Sequence, residues 1–232
     1  LGPGQHGWLV LLSREGKDAG YLVVSGENEK WQLLEYGNGE SPLFSAATFT
    51  RTLKQYGFAA DEHAAATAQM RYAGAFQAVW QVGTGEQATF YDAITGEEFP
   101  LDEAVILDAE KKWDHFVGEF GLALTDLTRL HKQVQLAVFD PFEKLSWVDN
   151  DALTVPTASA FVSRLHTDQD ESEMTFAARL FGRRITVPFA VTGYDEWNNG
   201  EVYVRIDHFG ERYIPYFLFQ QFGEFYDVRP MP

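Results

Sequence analysis

The chain has no cysteine in its 232 residues. That absence excludes a disulfide scaffold, a thiolate-ligated zinc or iron–sulfur site, and a cysteine nucleophile. Basic residues are scarce as well: 18 Lys and Arg stand against 34 Asp and Glu, a formal charge of −16. Nucleic-acid affinity rests on Lys and Arg neutralising phosphates, so nucleic acid is not an expected partner, and an anionic membrane surface is disfavoured for the same reason. Long hydrophobic runs are missing too. The run Trp8-Leu9-Val10-Leu11-Leu12 is far shorter than the ~20 residues of a membrane-spanning helix, so direct membrane insertion of this segment is not expected. No basic start followed by an apolar core and a cleavage site opens the chain.

What is present is apolar and aromatic. Hydrophobic residues make up 45% of the chain, with 19 Phe, 10 Tyr and 6 Trp, which places it among well-packed globular proteins. At this length a chain buries on the order of 70% of its unfolded surface, enough to fold without a covalent staple. The chain begins at Leu1 and enters a strand-like run almost at once. It therefore reads as a processed piece, from which a signal or anchor has been removed. With the missing cysteines this fits an extracellular or cell-surface protein of a Gram-positive bacterium, although many cytosolic proteins also lack cysteine.

The pattern along the chain predicts an α+β fold with antiparallel sheets and packed helices in two modules, residues 1–135 and 140–232. Gly7–Ser13, Tyr21–Ser25 and Trp31–Tyr36 read as a three-stranded meander, with turn residues between them. Helices are expected over Ser45–Tyr56 and over the alanine-rich Asp61–Tyr72. A strand pair, Ala75–Val82 and Gln87–Asp92, follows. Apolar steps of three and four from Trp113 to Leu130 predict amphipathic helix within Asp102–Gln133. Beyond a loop over Val138–Leu153, helices are expected near Val155–Ser163 and Asp170–Phe181. The strands Ile185–Thr192, Val202–Ile206 and Arg212–Phe217 close the chain, with Asp195–Gly200 as a turn.

Motifs for phosphate loops, dinucleotide folds, nucleophile elbows and zinc peptidases are all missing. The six histidines, at 6, 63, 115, 131, 166 and 208, form no local metal pair. Asp149/Asp151 and Asp168/Asp170/Glu173 lack the glycine-containing loop of a calcium site. No metal and no cofactor is expected.

Two stretches carry a resemblance. Thr192-Gly193-Tyr194-Asp195, Asn199-Gly200-Glu201-Val202-Tyr203-Val204, Asp207 and Arg212–Tyr216, together with Thr154-Val155-Pro156-Thr157-Ala158-Ser159-Ala160, resemble papain-like cysteine peptidases of the bacteriocin-processing type. The resemblance implies a nucleophile at Thr154, a histidine at Val187 and an orienting carboxylate at Asp207. Only Asp207 keeps the family's residue type, so the scaffold would be a degenerate one without the thiolate–imidazole pair that attack on an acyl carbon requires. Phe90–Glu97 resembles the closing strand and turn of PepSY-type propeptide domains, which accompany secreted peptidases as inhibitors, chaperones or ligand binders.

The expected function is a non-catalytic, extracytoplasmic binding or protein-interaction protein for a peptide, protein or cell-wall ligand, with Asp195, Trp197, Tyr213 and Tyr216 as ligand-binding residues. The pairing of a recognisable scaffold with absent catalytic residues carries that expectation; the aromatics Trp197, Tyr203, Phe209, Tyr213, Tyr216 and Phe217 would suit a peptide or glycan surface, and ring by ring they suit a strand core better. Two other readings stand beside it. One is a structural or assembly domain held by partner strands at an edge. The other is a hydrolase using carboxylates from Asp195, Glu196 and Asp207 with His208.

Overall fold

The computed structural model describes residues 7–27, 30–39, 43–58, 67–120, 129–166 and 173–228. The fold is α+β, its strands are paired antiparallel, and the chain divides into two compact units, Leu1–Leu124 and Thr125–Pro232.

In the first unit β1 (Gly7–Arg14), β2 (Lys17–Glu27) and β3 (Lys30–Asn38) form the expected meander. Helix α1 (Ala46–Gln55) matches its apolar spacing. A second sheet runs in the order β4 (Gln69–Tyr72), β5 (Ala78–Val82), β6 (Thr89–Asp92), β7 (Glu98–Phe99). Helix α2 spans Glu103–Phe120, with Asp102 Oδ1 accepting from Val105 N at 3.0 Å as its cap. The helix expected over Asp61–Tyr72 is corrected here. Residues 61–66 lie outside the described ones, and Gln69–Tyr72 is a strand. Gln69–Tyr72 lies beyond the alanine run, and its tertiary contacts hold it as a strand: Tyr72 packs edge-on against Trp113 at 5.8 Å, and Arg71 donates to both Glu110 oxygens.

Strand β5 is buried at every position, and Trp80 within it stacks on Phe49 of α1 at 4.3 Å. The stretch that resembles a PepSY closing strand is β6 followed by an Asx turn. Asp92 Oδ1 accepts from Ile94 N at 2.9 Å and Thr95 N at 2.7 Å. Gly96 follows at φ +76, where a Cβ would lie 2.1 Å from Thr52 Oγ1 of α1, so both its backbone angle and its neighbour demand glycine.

The second unit contains β8 (Leu130–Gln135), β9 (Met174–Leu180), β10 (Ile185–Trp197), β11 (Val202–Asp207), β12 (Glu211–Pro215) and β13 (Gly223–Asp227). Their order is β12-β11-β10-β9-β13, and β8 also pairs with β10. Strand β10 is long enough to serve two neighbours on one edge: Ile185–Val191 pair with β9, and Gly193–Trp197 pair with β8. At the handover Gly193 has φ +138, and a Cβ there would lie 2.0 Å from Val134 O. The described residues of this unit also form the helices α3 (Pro141–Lys144), α4 (Ser146–Asp149), α5 (Ala158–His166) and α6 (Tyr216–Phe222). Asp140 caps α3 through Phe142 N at 2.9 Å, and Thr157 Oγ1 accepts from Ala160 N at 3.1 Å at the start of α5.

Several expectations change in this unit. Leu130–Gln133, expected as the end of an amphipathic helix, belongs instead to the strand β8. Met174–Leu180, expected as part of a helix over Asp170–Phe181, is the strand β9, and residues 170–172 lie outside the described ones. Strand β9 lies between β10 and β13 and is buried on both faces except at Arg179, so it lacks the period-two alternation that marks a half-exposed strand. Strand β10 runs on through Asp195–Trp197, which leaves only Asn198–Gly200 in the turn. The last of the three expected strands stops at Pro215, and Tyr216–Phe222 is helical. One face of the sheet carries Phe176, Tyr194 and Phe225, and Phe161 of α5 and Phe219 of α6 close over it at ring separations of 4.6 to 6.5 Å.

Candidate functional site

The register of β10, β11 and β12 decides which candidate residues share a surface. Asp195 lies opposite Tyr203 and Tyr203 opposite Pro215; Gly193 lies opposite Arg205 and Arg205 opposite Tyr213. Asp195, Trp197, Tyr203, Arg205 and Tyr213 therefore occupy one face. The Trp197 and Tyr203 rings meet edge-on at 6.4 Å. Gln133 of β8 donates to Asp195 Oδ1 at 3.0 Å. Glu211 pairs with Arg205 Nη2 and accepts from the Tyr213 hydroxyl at 3.2 Å.

This face is packed inward. Asp195, Tyr203, Arg205 and Tyr213 are all buried. Burial pushes the Tyr213 phenol up to about 12; the Arg205 cation opposes the rise, and the Glu211 and Asp195 carboxylates add to it. The Tyr203 phenol is raised further, again chiefly by burial. Arg205 Nε and Nη1 are buried with no hydrogen-bond partner among the described residues.

Tyr216 does not join that group. It opens α6 and stacks on Phe225 at 6.1 Å and beside Phe161 at 5.3 Å, and its hydroxyl donates to Val155 O. Burial raises its phenol to about 12. Tyr216 is thus part of the aromatic core on the other face of the sheet.

The positions implied by the peptidase resemblance are dispersed. Thr154 is exposed in a segment that runs beside the outer edge of β13. Within it Asn150 Nδ2 donates to Asp227 O, and Leu153 N donates to Phe225 O, both at 2.8 Å. Val187 lies opposite Ala178, which lies opposite Gly223 of β13, so β10 is two strands further in. Three ladder spacings, roughly 14 Å, separate Thr154 from Val187, far beyond the ~3 Å contact of a nucleophile with its base. Asp207, at the exposed end of β11, faces Ala190 and Glu211.

The carboxylate set is not assembled either. Asp195 faces Tyr203, four residues along β11 from Asp207, which is about 13 Å at the rise of a strand and wider than the ~6.5–9.5 Å of inverting glycosidase pairs. Glu196 follows Asp195 in β10 and points to the opposite face. The His208 ring packs on Phe189 at 4.9 Å, and its Nδ1 lies 3.0 Å from Arg212 Nη1. Among the described residues no group of three or more His, Asp or Glu is placed to hold a metal ion. No helix among them is long and apolar enough to cross a membrane.

An exposed apolar surface lies in the first unit, apart from every candidate site residue named from the sequence. Strand β1 pairs with β2 alone among the described residues. Trp8, Val10, Leu11 and Leu12 are exposed, on both of its faces. The Trp8 and Trp31 rings meet at 4.9 Å above Gly26, where a Cβ would come within 3.0 Å of Trp8 and 3.1 Å of Trp31. The sequence signal for this surface is the unbroken apolar run in the first strand. Such a run reads as a fully buried strand, and only the topology shows it to be an edge.

These features define an α+β protein of two units with a buried polar–aromatic face in the second and an open apolar edge in the first. No family model, curated protein or solved structure matches the chain.

Proposed function

We propose that this chain is a non-catalytic protein-interaction module acting outside the cytoplasm, and that β1 is its binding element. The observation that carries this reading is an eight-residue edge strand whose apolar side chains are open to solvent. An edge strand offers a row of backbone donors and acceptors to an incoming strand, and natural proteins usually blunt such edges with charge, proline or bulges. Gly7–Ser13 contains no charged residue and no proline. Its one irregularity is a bulge at Leu12/Ser13.

The partner is therefore a peptide or protein strand that adds to β1 and places apolar side chains against Trp8, Leu11 and the Trp8–Trp31 pair. The dispersal of Thr154, Val187 and Asp207 supports the non-catalytic part of the reading. The cysteine-free composition supports the location.

A labelled peptide with the sequence of Gly7–Arg14 serves as the probe, followed by fluorescence anisotropy. It is expected to bind the wild-type chain saturably, to be recovered uncleaved, and to lose at least about tenfold in affinity against Leu11→Lys, because lysine on an edge strand opposes pairing. Absence of binding, or equal binding to Leu11→Lys, overturns the proposal.

A further inference from the structure

Resting on the reading of β1 as the binding element, we infer that its partner is a second copy of this chain, joined antiparallel about a two-fold axis centred on Val10. Three observations lead there. The first is self-complementarity. A two-fold axis perpendicular to a sheet pairs residues equally spaced about its centre and keeps each on its own face. Centred on Val10, it sets Val10 opposite itself, Leu9 opposite Leu11 and Trp8 opposite Leu12. All five positions lie in the regular part of β1, before the bulge at Leu12/Ser13, and every cross-strand pair is apolar.

The second observation is charge. Two copies that each carry −16 repel one another, so contact is favoured where neither presents a carboxylate. Trp8–Leu12 has no ionisable group, and Arg14 and Glu15 fall beyond the paired segment. Moving the axis to Leu11 would bring Arg14 opposite Trp8 and carry the bulge into the ladder, so the Val10 centre is the one that keeps the strand regular and uncharged.

The third observation is area. Trp8, Val10, Leu11, Leu12 and Trp31 are 39 to 51% exposed. Trp31 lies on β3, away from the open edge, and the four β1 side chains offer roughly 350 Å² per copy, about 700 Å² per pair, which with the strand backbone places the contact at the small end of specific interfaces.

The test is sedimentation velocity of the full chain over a concentration series, with Val10→Lys and Val10→Glu alone and mixed. The wild type is expected to form a dimer. Each variant alone sets two like charges against each other at the axis and is expected to weaken self-association by at least about tenfold. Mixing the two sets Lys against Glu and is expected to restore the dimer. Val10 is exposed, so unchanged circular dichroism is expected and verifies the fold of each variant.

A wild type that stays monomeric overturns the inference. So does a dimeric Val10→Lys, or a mixture of the two variants that stays monomeric. A monomeric wild type that still binds the Gly7–Arg14 peptide removes only the second copy, whereas a monomer that binds no peptide removes the proposed function as well.

Discussion

Replacing Glu110 by alanine tests how the first unit is held together. Arg71 donates Nε to Glu110 Oε1 at 2.7 Å and Nη2 to Oε2 at 2.5 Å, while Nη1 reaches Gln81 Oε1 at 2.5 Å. The two side chains are 7% and 14% exposed, so the fork joining β4 to α2 is almost dry. The hydrogen bond to Glu110 is the main reason that the guanidinium is held even more firmly protonated than usual. Removing one member of a buried pair costs about 3–5 kcal/mol, because the remaining charge is left without compensation.

Arg71 would keep Gln81 and, at 4.0 Å, the half-exposed Glu103, which puts Glu110→Ala near ~3 kcal/mol, the lower end of that range. For a chain of this length that is a fall in Tm of roughly 6–12 °C. The double variant Arg71→Met/Glu110→Leu replaces the fork with apolar contact and leaves only the buried Gln81 Oε1 without its donor, so it is expected about 1–2 kcal/mol below wild type, a smaller loss than that of Glu110→Ala. Urea denaturation followed by tryptophan emission measures both. Glu110→Ala within about 0.5 kcal/mol of wild type, the scatter of an ordinary surface substitution, or a double variant as unstable as the single one, would refute a structural role for the fork.

Two further predictions concern the second unit. The Tyr213 and Tyr216 phenols are raised to about 12 from an unfolded value near ~10, so the folded state holds their protons more tightly. Their contribution to stability, at most about 2–3 kcal/mol each, is complete below pH ~10 and is lost as pH climbs toward ~12. Tyrosinate absorbance should show at least two phenols ionising only with unfolding; titration of all ten tyrosines at the ordinary value before the fold is lost would contradict this. Gly193→Val drives a Cβ toward Val134 O and forces a β-branched residue to positive φ. It should detach β8 from β10, read as rapid hydrogen exchange at Leu130–Gln135, whereas protection there equal to wild type would show that the glycine is not required.

What is legible in the sequence depends on exposure. The meander, α1 and the strands β10, β11 and β12 show in it because apolar periodicity or turn residues mark them. Strand β9 does not, because burial on both faces erases its alternation. Strand β4 is hidden by the alanine-rich stretch that runs up to it, and its identity rests on Trp113 and Glu110, some forty residues away. The grouping of Asp195, Trp197 and Tyr213 on one face follows from period two along strands that the sequence does mark. Their burial does not, since it depends on what packs over them. Tyr216 falls outside the group because the strand ends at Pro215, two residues before the apolar pattern does, and the chain turns into α6. The β1 edge is concealed for the opposite reason: a continuous apolar run signals a buried strand, and whether it has one neighbour or two is a property of topology alone.

The binding role of β1 is tested most directly by hydrogen exchange of the full chain, diluted until sedimentation shows it monomeric, with and without a saturating amount of the Gly7–Arg14 peptide. Amides in Trp8–Leu12 are expected to gain protection while those of β10–β12 stay as they were. Unchanged exchange at Trp8–Leu12, or protection arising around Asp195, Arg205 and Tyr213 instead, would contradict that role.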